Sequence, residues 1–155
     1  MYKERACAVI PAYNEQKNLE KILKLIPSYL NQTIIVDDGS TDMTSEIAES
    51  YMSKGVILQR HEKNRGKAIA LKTGIEKAIE IGYEIIVTLD GDGQHSPKEI
   101  PRLIEKLEEG NDLVIGSRNF QNNNMPLGNM LANILDSKIV SKITKTKNKR
   151  FAKRL

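Results

Sequence analysis

Ile85-Ile86-Val87-Thr88-Leu89-Asp90-Gly91-Asp92-Gly93-Gln94-His95 runs from an apolar, β-branched segment straight into two carboxylates one residue apart, flanked by glycines. The apolar half reads as a buried strand. Gly91 and Gly93 then permit a turn that an ordinary side chain would resist. Asp90 and Asp92 therefore fall at the C-terminal end of a strand. Two hard oxygen donors on one short turn suit Mg²⁺ or Mn²⁺, ions that leave positions open for substrate phosphates, and Gln94 is a candidate third ligand. The competing reading of the same residues is an acidic, glycine-rich β-turn.

The sequence on either side favours the first reading. Strand-like runs at about 6–10, 33–36, 56–59, the segment above and 112–115 alternate with helical patterns, the signal of an α/β fold: a mostly parallel sheet with helices on both faces. Asn14 is the expected cap of a first helix bearing Leu19, Ile22, Leu23 and Ile26. Ser40, Thr41 and Asp42 are candidate caps of a second, with Ile47, Ala48 and Tyr51 inward. A third helix is expected, bearing Ala68, Leu71, Ile75 and Ala78. Ser96-Pro97-Lys98-Glu99 reads as the start of a fourth, carrying Ile100, Leu103, Ile104 and Leu107 and ending near Gly110. Each polar cluster follows a strand, and parallel strands place their C-terminal ends on one edge, where open α/β sheets bind ligands. Tyr13 to Glu15, Asp37-Asp38, Arg65 to Lys67, Asp90 to Gln94 and Arg118 are thus expected to meet there.

A chain of 155 residues is long enough to bury roughly two thirds of its extended surface without disulfide staples. Its one cysteine, Cys7, sits in an apolar run and reads as a buried structural thiol of a reducing, cytoplasmic setting. No segment is long and apolar enough to span a bilayer. The net charge of +4 is unevenly spread, because the chain from Lys138 onward is basic with no acidic residue. Such an end indicates an anionic partner or a solvated tail. The scarcity of aromatic residues there argues against nucleic acid. Leu131, Leu135, Ile139 and Ile143 recur at helical spacing, so a final amphipathic helix to about residue 144 is expected, with a basic face suited to peripheral contact with a membrane.

Five motifs in order carry a resemblance: Val9-Ile10-Pro11-Ala12-Tyr13-Asn14-Glu15, Ile35-Val36-Asp37-Asp38-Gly39-Ser40-Thr41-Asp42, Asn64-Arg65-Gly66-Lys67, Asp90-Gly91-Asp92-Gly93-Gln94-His95 and Gly116-Ser117-Arg118. The sequence resembles the family-2 glycosyltransferases of GT-A fold, and most nearly the dolichyl-phosphate mannose synthases and other polyprenyl-phosphate glycosyltransferases. The resemblance implies that Pro11, Tyr13, Asn14, Glu15, Val36, Asp37 and Asp38 surround the nucleotide, with Asp38 on the base side and Asp37 supporting its turn. It implies that Asp90, Gly91 and Asp92 form the Asp-x-Asp site, that Asp90, Asp92 and Gln94 are the metal set, and that Lys67 and Arg118 face phosphate. Asp90, Asp92 and Arg118 are then the catalytic candidates.

The implied activity is inverting transfer of a hexose from a nucleotide diphosphate sugar, GDP-mannose or UDP-glucose, to a polyprenyl or dolichyl phosphate, with Mg²⁺ or Mn²⁺ as cofactor. A lipid phosphate is already ionised near neutral pH and needs no general base. Members of the family usually continue to an Asp-x-x-x-Gly-Phe-Arg-like segment, and no match to it occurs between Asn119 and Leu155. The alternatives are therefore a truncated or degenerate transferase that binds nucleotide and metal without transfer, one completed by a partner subunit or homo-oligomer, or one with a polysaccharide or protein acceptor. The expected division is a nucleotide-sugar domain over 1–118, then a loop, amphipathic helix and basic tail over 119–155.

Overall fold

The computed structural model describes residues 5–116 and 151–153. Strands β1 (Ala6–Ala12), β2 (Gln32–Asp37), β3 (Val56–Arg60) and β4 (Ile85–Thr88) form one parallel sheet in the order β3-β2-β1-β4. β1 is buried along its whole length, as befits the most apolar strand of a sheet covered on both faces. Val9 pairs with Ile34 on one side and Thr88 on the other. The order reverses between β1 and β4, so the crevice at the C-terminal ends of those two strands is the topological switch point.

The α/β architecture expected from the alternation is the one observed. Helices α1 (Leu19–Leu25) and α2 (Thr44–Ser50) pack on each other, and α2 also packs on β2 and β3. Helix α3 (Lys67–Ile81) lies on β1 and β2, where Cys7, Val9, Ile34 and Val36 form a core with Ala70 and Ala78. Of the expected positions Ala78 is buried, Leu71 packs against this core, Ile75 is half-buried and Ala68 is exposed; the fully buried stripe is Ala70, Gly74 and Ala78. The physical reason is proximity. A Cβ on Gly74 would stand 2.4 Å from Val9 Cγ1, so only the small-residue face lets the helix come this close to the sheet. Burial pushes the Cys7 thiol up to about 11, which agrees with a structural role.

A 3-10 turn at Pro97–Glu99 leads into α4 (Ile100–Glu108), and Ile100 and Ile104 are buried as expected. The Ser96 side chain makes no capping bond; its carbonyl accepts from the Glu99 N–H instead. The chain divides into two compact units, Met1–Pro101 and Arg102–Leu155. In the second, β5 (Leu113–Ile115) pairs in parallel with β6 (Phe151–Lys153) rather than with the four-stranded sheet. Local apolar pattern marks a strand but does not choose its partner. Arg118 and the expected amphipathic helix lie outside the described residues. Among the described residues no helix is long and apolar enough to cross a membrane.

Candidate active site

The loops after β1 and β2 are stitched together by their polar side chains. The Asn14 N–H donates to Ser40 Oγ at 2.9 Å, and the Thr41 N–H donates back to Asn14 Oδ1 at 2.9 Å. The Glu15 N–H donates to Thr44 Oγ1 at 2.8 Å, the Gln16 N–H to Asp42 Oδ2 at 3.2 Å, and the Met43 N–H to Gln16 Oε1 at 3.2 Å. Asn14 adopts φ 56°, a left-handed conformation that asparagine tolerates better than most residues. It therefore tightens the loop instead of capping α1, which begins only at Leu19. Of the three cap candidates for α2, Asp42 serves that end by accepting the Thr44 N–H and hydroxyl. Burial pushes the Asp42 carboxyl up, but the Thr44 hydroxyl and the N–H donors of Gln16 and Thr44 outweigh it and hold it below the ordinary value.

Asp37 and Asp38, at the end of β2, are almost wholly buried. Asp37 accepts from the Ser40 N–H at 2.9 Å and from the Ser45 hydroxyl, and Arg60 Nε lies 3.4 Å away. These bonds tie Asp37 to the turn that follows β2. Asp38 is engaged through both oxygens. Oδ1 meets His61 Nδ1 at 2.6 Å and accepts the Arg65 N–H at 3.0 Å, while Oδ2 accepts the Gly66 N–H at 2.8 Å. Burial pushes this carboxyl up, and the His61 bond followed by the two N–H donors more than offsets it, so it lies below the usual carboxylate range. His61 Nε2 in turn reaches Thr73 Oγ1 on α3 at 3.0 Å.

A lone loop histidine such as His61 is expected to be hydrogen-bonding or exposed rather than catalytic, and His61 is hydrogen-bonded on both ring nitrogens. Its one available signal was position: it directly follows β3, on the edge where every other polar cluster lies. The loop at 63–66 is anchored directly to Asp38 by the Arg65 and Gly66 N–H groups, and a Cβ on Gly39 would stand 2.5 Å from the Lys63 carbonyl carbon, so that approach requires glycine.

The acidic turn after β4 sits directly against the end of β1. A Cβ on Gly91 would stand 2.9 Å from the Pro11 carbonyl oxygen and 3.2 Å from Glu15 Cγ, so the Asp-Gly-Asp turn depends on a bare backbone there. Asp90 Oδ1 is 2.7 Å from Lys67 Nζ, its N–H donates to His95 Nδ1 at 3.4 Å, and Asp92 Oδ1 accepts the Gln94 N–H at 2.8 Å. Tyr13 is half exposed, and Glu15 Oε2 accepts from Asn18 Nδ2 at 2.9 Å. Pro11 and Val36 pair in register on β1 and β2, and the Val36 side chain belongs to the core under α3. An open cleft of about 350 Å³ beside the turn is lined by Asn18, Lys21, Asp92 and His95 among others.

The donor set suits a hard divalent cation. Asp90 and Asp92 supply carboxylate oxygens from a single turn, His95 Nδ1 lies 3.8 Å from Asp90 Oδ2, and among the described residues no set of three or more His, Cys, Asp or Glu is arranged to hold a metal by itself. An ion there would complete its shell with substrate phosphates and water.

With this geometry in hand, the sequence profile of Glycosyl transferase family 2 is found to match residues 7–154. The chain belongs to glycosyl transferase family 2. This family-2 chain is 41% identical over 149 residues to a protein of unassigned function from Methanocaldococcus jannaschii, covering 93% of this chain and 64% of that one. It is 35% identical over 146 residues to the UDP-N-acetylglucosamine–dolichyl-phosphate N-acetylglucosaminyltransferase of Methanococcus voltae, covering 81% of this chain and 58% of the relative. The fold is that of glucosyl-3-phosphoglycerate synthase from Mycobacterium tuberculosis, with a TM-score of 0.65 at 23% identity over 92% of this chain and 53% of that one. The family-2 chain thus spans between about half and two thirds of the length of these proteins.

Proposed function

We propose that this chain forms the nucleotide-sugar site of an inverting, divalent-cation-dependent hexosyltransferase whose donor is GDP-mannose or UDP-glucose and whose acceptor is a polyprenyl phosphate. The observation that carries the reading is the seating of the Asp90-Gly91-Asp92 turn on the Pro11 carbonyl, which joins the two halves of the site at the strand-order switch.

In this reading the loop of Tyr13 to Glu15, braced by Ser40, Thr41 and Thr44, receives the nucleoside. Asp38 acts through the loop it holds, fixing Arg65 and Gly66 so that Lys67 stands beside the acidic turn. Asp90 and Asp92 would hold Mg²⁺ or Mn²⁺, with Gln94 next to them on the same turn. The bound ion would stabilise negative charge developing on the leaving diphosphate. The acceptor phosphate, already anionic, attacks the sugar from the face opposite the diphosphate, which inverts the anomeric carbon. Support for a lipid-phosphate acceptor comes from the name of the M. voltae relative. Peripheral contact with an anionic membrane face through the basic segment from Lys138 onward belongs to the same proposal.

Calorimetric titration of GDP and UDP, with Mn²⁺ and with a chelator, tests it. The expected result is Mn²⁺-dependent binding of one nucleotide, followed by transfer of labelled hexose from its sugar conjugate to a polyprenyl phosphate. Metal-independent binding, or none, overturns it; binding without transfer supports a nucleotide- and metal-binding chain that does not catalyse by itself.

A further inference from the structure

Lys67 is the first residue of α3, and its charge is the wrong one for that place. The N-terminal end of a helix favours anions, and the first turn of α3 contains no acidic residue. The lysine therefore does nothing for its own helix. What it meets instead is Asp90, with Nζ 2.7 Å from Oδ1, the lysine side chain 63% and the aspartate 28% exposed. The backbone beneath it is fixed, because Asp38 accepts the N–H groups of both Arg65 and Gly66. The side chain has room to move, because it is mostly exposed to solvent.

We propose that Lys67 is the resident counter-ion of the Asp90 carboxylate, displaced by the divalent cation and then available to the incoming diphosphate, so that cation and nucleotide binding are coupled through one side chain. This rests on the reading of Asp90 and Asp92 as a cation site. The ammonium and a divalent ion compete for the same carboxylate oxygen and repel each other, so Lys67 opposes the cation while no nucleotide is present. Once a diphosphate is present, the displaced ammonium gains a multiply charged anionic partner. The penalty on cation binding then becomes a gain in nucleotide binding, and the coupling is reciprocal.

The test is Mn²⁺ binding followed by loss of the free-ion electron paramagnetic resonance signal, in the wild type, Lys67→Met and Lys67→Arg, with and without GDP or UDP. Lys67→Met is expected to bind Mn²⁺ alone about two- to fivefold more tightly than the wild type, the scale of a partly exposed ion pair. The enhancement of Mn²⁺ affinity by nucleotide should shrink in the same variant, and Lys67→Arg should behave as the wild type. Equal or weaker Mn²⁺ affinity in Lys67→Met, undetectable binding in both included, overturns the proposal, as does an undiminished nucleotide enhancement. Failure of wild-type protein to bind Mn²⁺ with either nucleotide is a different result, which removes the cation site itself and the proposed function with it.

Discussion

His61 Nδ1 lies 2.6 Å from Asp38 Oδ1, and the two side chains are only 8% and 3% exposed. A carboxylate so enclosed depends on its donors, and the imidazole is the one side chain among them. Replacing it leaves two main-chain N–H groups to satisfy a buried charge. His61→Ala is expected to lower unfolding stability by about 2–4 kcal/mol, read by urea denaturation. A loss below half a kcal/mol would show that the pair contributes little to the folded state.

The same carboxylate, with Asp42, gives the chain a defined acid sensitivity. Both are held below their ordinary values in the folded protein. Their contribution is therefore complete above the unfolded value of about 3.9 and is lost as the pH falls through the lower, folded values. Stability measured from pH 6 downward should stay level with respect to these groups until about pH 4 and then decline. The decline should be shallower in Asp38→Asn, whatever that variant loses at neutral pH. A parallel decline in both proteins would assign the acid sensitivity to other groups.

Gly91 is the contact on which the two halves of the site rest. Gly91→Ala introduces a methyl 2.9 Å from the Pro11 carbonyl oxygen, and the acidic turn must move away. Nucleotide affinity in the presence of Mn²⁺ should fall about tenfold or more, the scale of a lost charge-assisted contact, with the circular-dichroism spectrum unchanged. Wild-type affinity would mean that the turn adapts without disturbing the site.

Asp92 is partly exposed and bonds only within its own turn among the contacts described, so its loss should be structurally cheap. Asp92→Ala is expected to abolish Mn²⁺-dependent nucleotide binding while shifting stability by less than about 0.5 kcal/mol. Retained calorimetric binding would remove Asp92 from the cation site.

Gly74→Ala sets two effects against each other. Alanine is the better helix former by about 1 kcal/mol, whereas overpacking of a tight core costs about 1–3 kcal/mol. With the new methyl 2.4 Å from Val9 Cγ1 and 3.0 Å from Val36 Cγ2, packing should prevail and the variant should be less stable. A stabilised variant would show that α3 can shift outward at no cost.

The four strands of the main sheet were legible because each contains a short run of β-branched and apolar residues, and their common polarity followed from the helices between them. The shared edge, where Gly91 comes against Pro11 and Glu15, followed as well. What pattern could not supply were partners. The stripe of α3 was legible at Ala78 and missed at Ala70 and Gly74, which are chosen for smallness rather than for apolar size. Asn14, Ser40 and Thr41 read as caps because their short polar side chains suit any orphaned N–H, and the sequence does not say which loop provides it. The pairing of β5 with Phe151–Lys153 joins segments far apart in a chain end that reads as basic tail. His61 carries no motif, and only the folded neighbourhood shows that it closes a bond to Asp38 on one side and Thr73 on the other.

The direct pairing of β1 with β4 acts as a gauge. Val9 is in register with Thr88, and the Leu89 N–H still donates to the Val9 carbonyl at 3.1 Å, so the ladder continues to within one residue of Asp90. Neighbouring strands keep a spacing of roughly 4.8 Å. The strands that carry the loop after β1 and the acidic turn are accordingly set apart by one ladder step, a length the loops themselves cannot change. Residues inserted into either loop would alter how deep the crevice is and leave its span as it was.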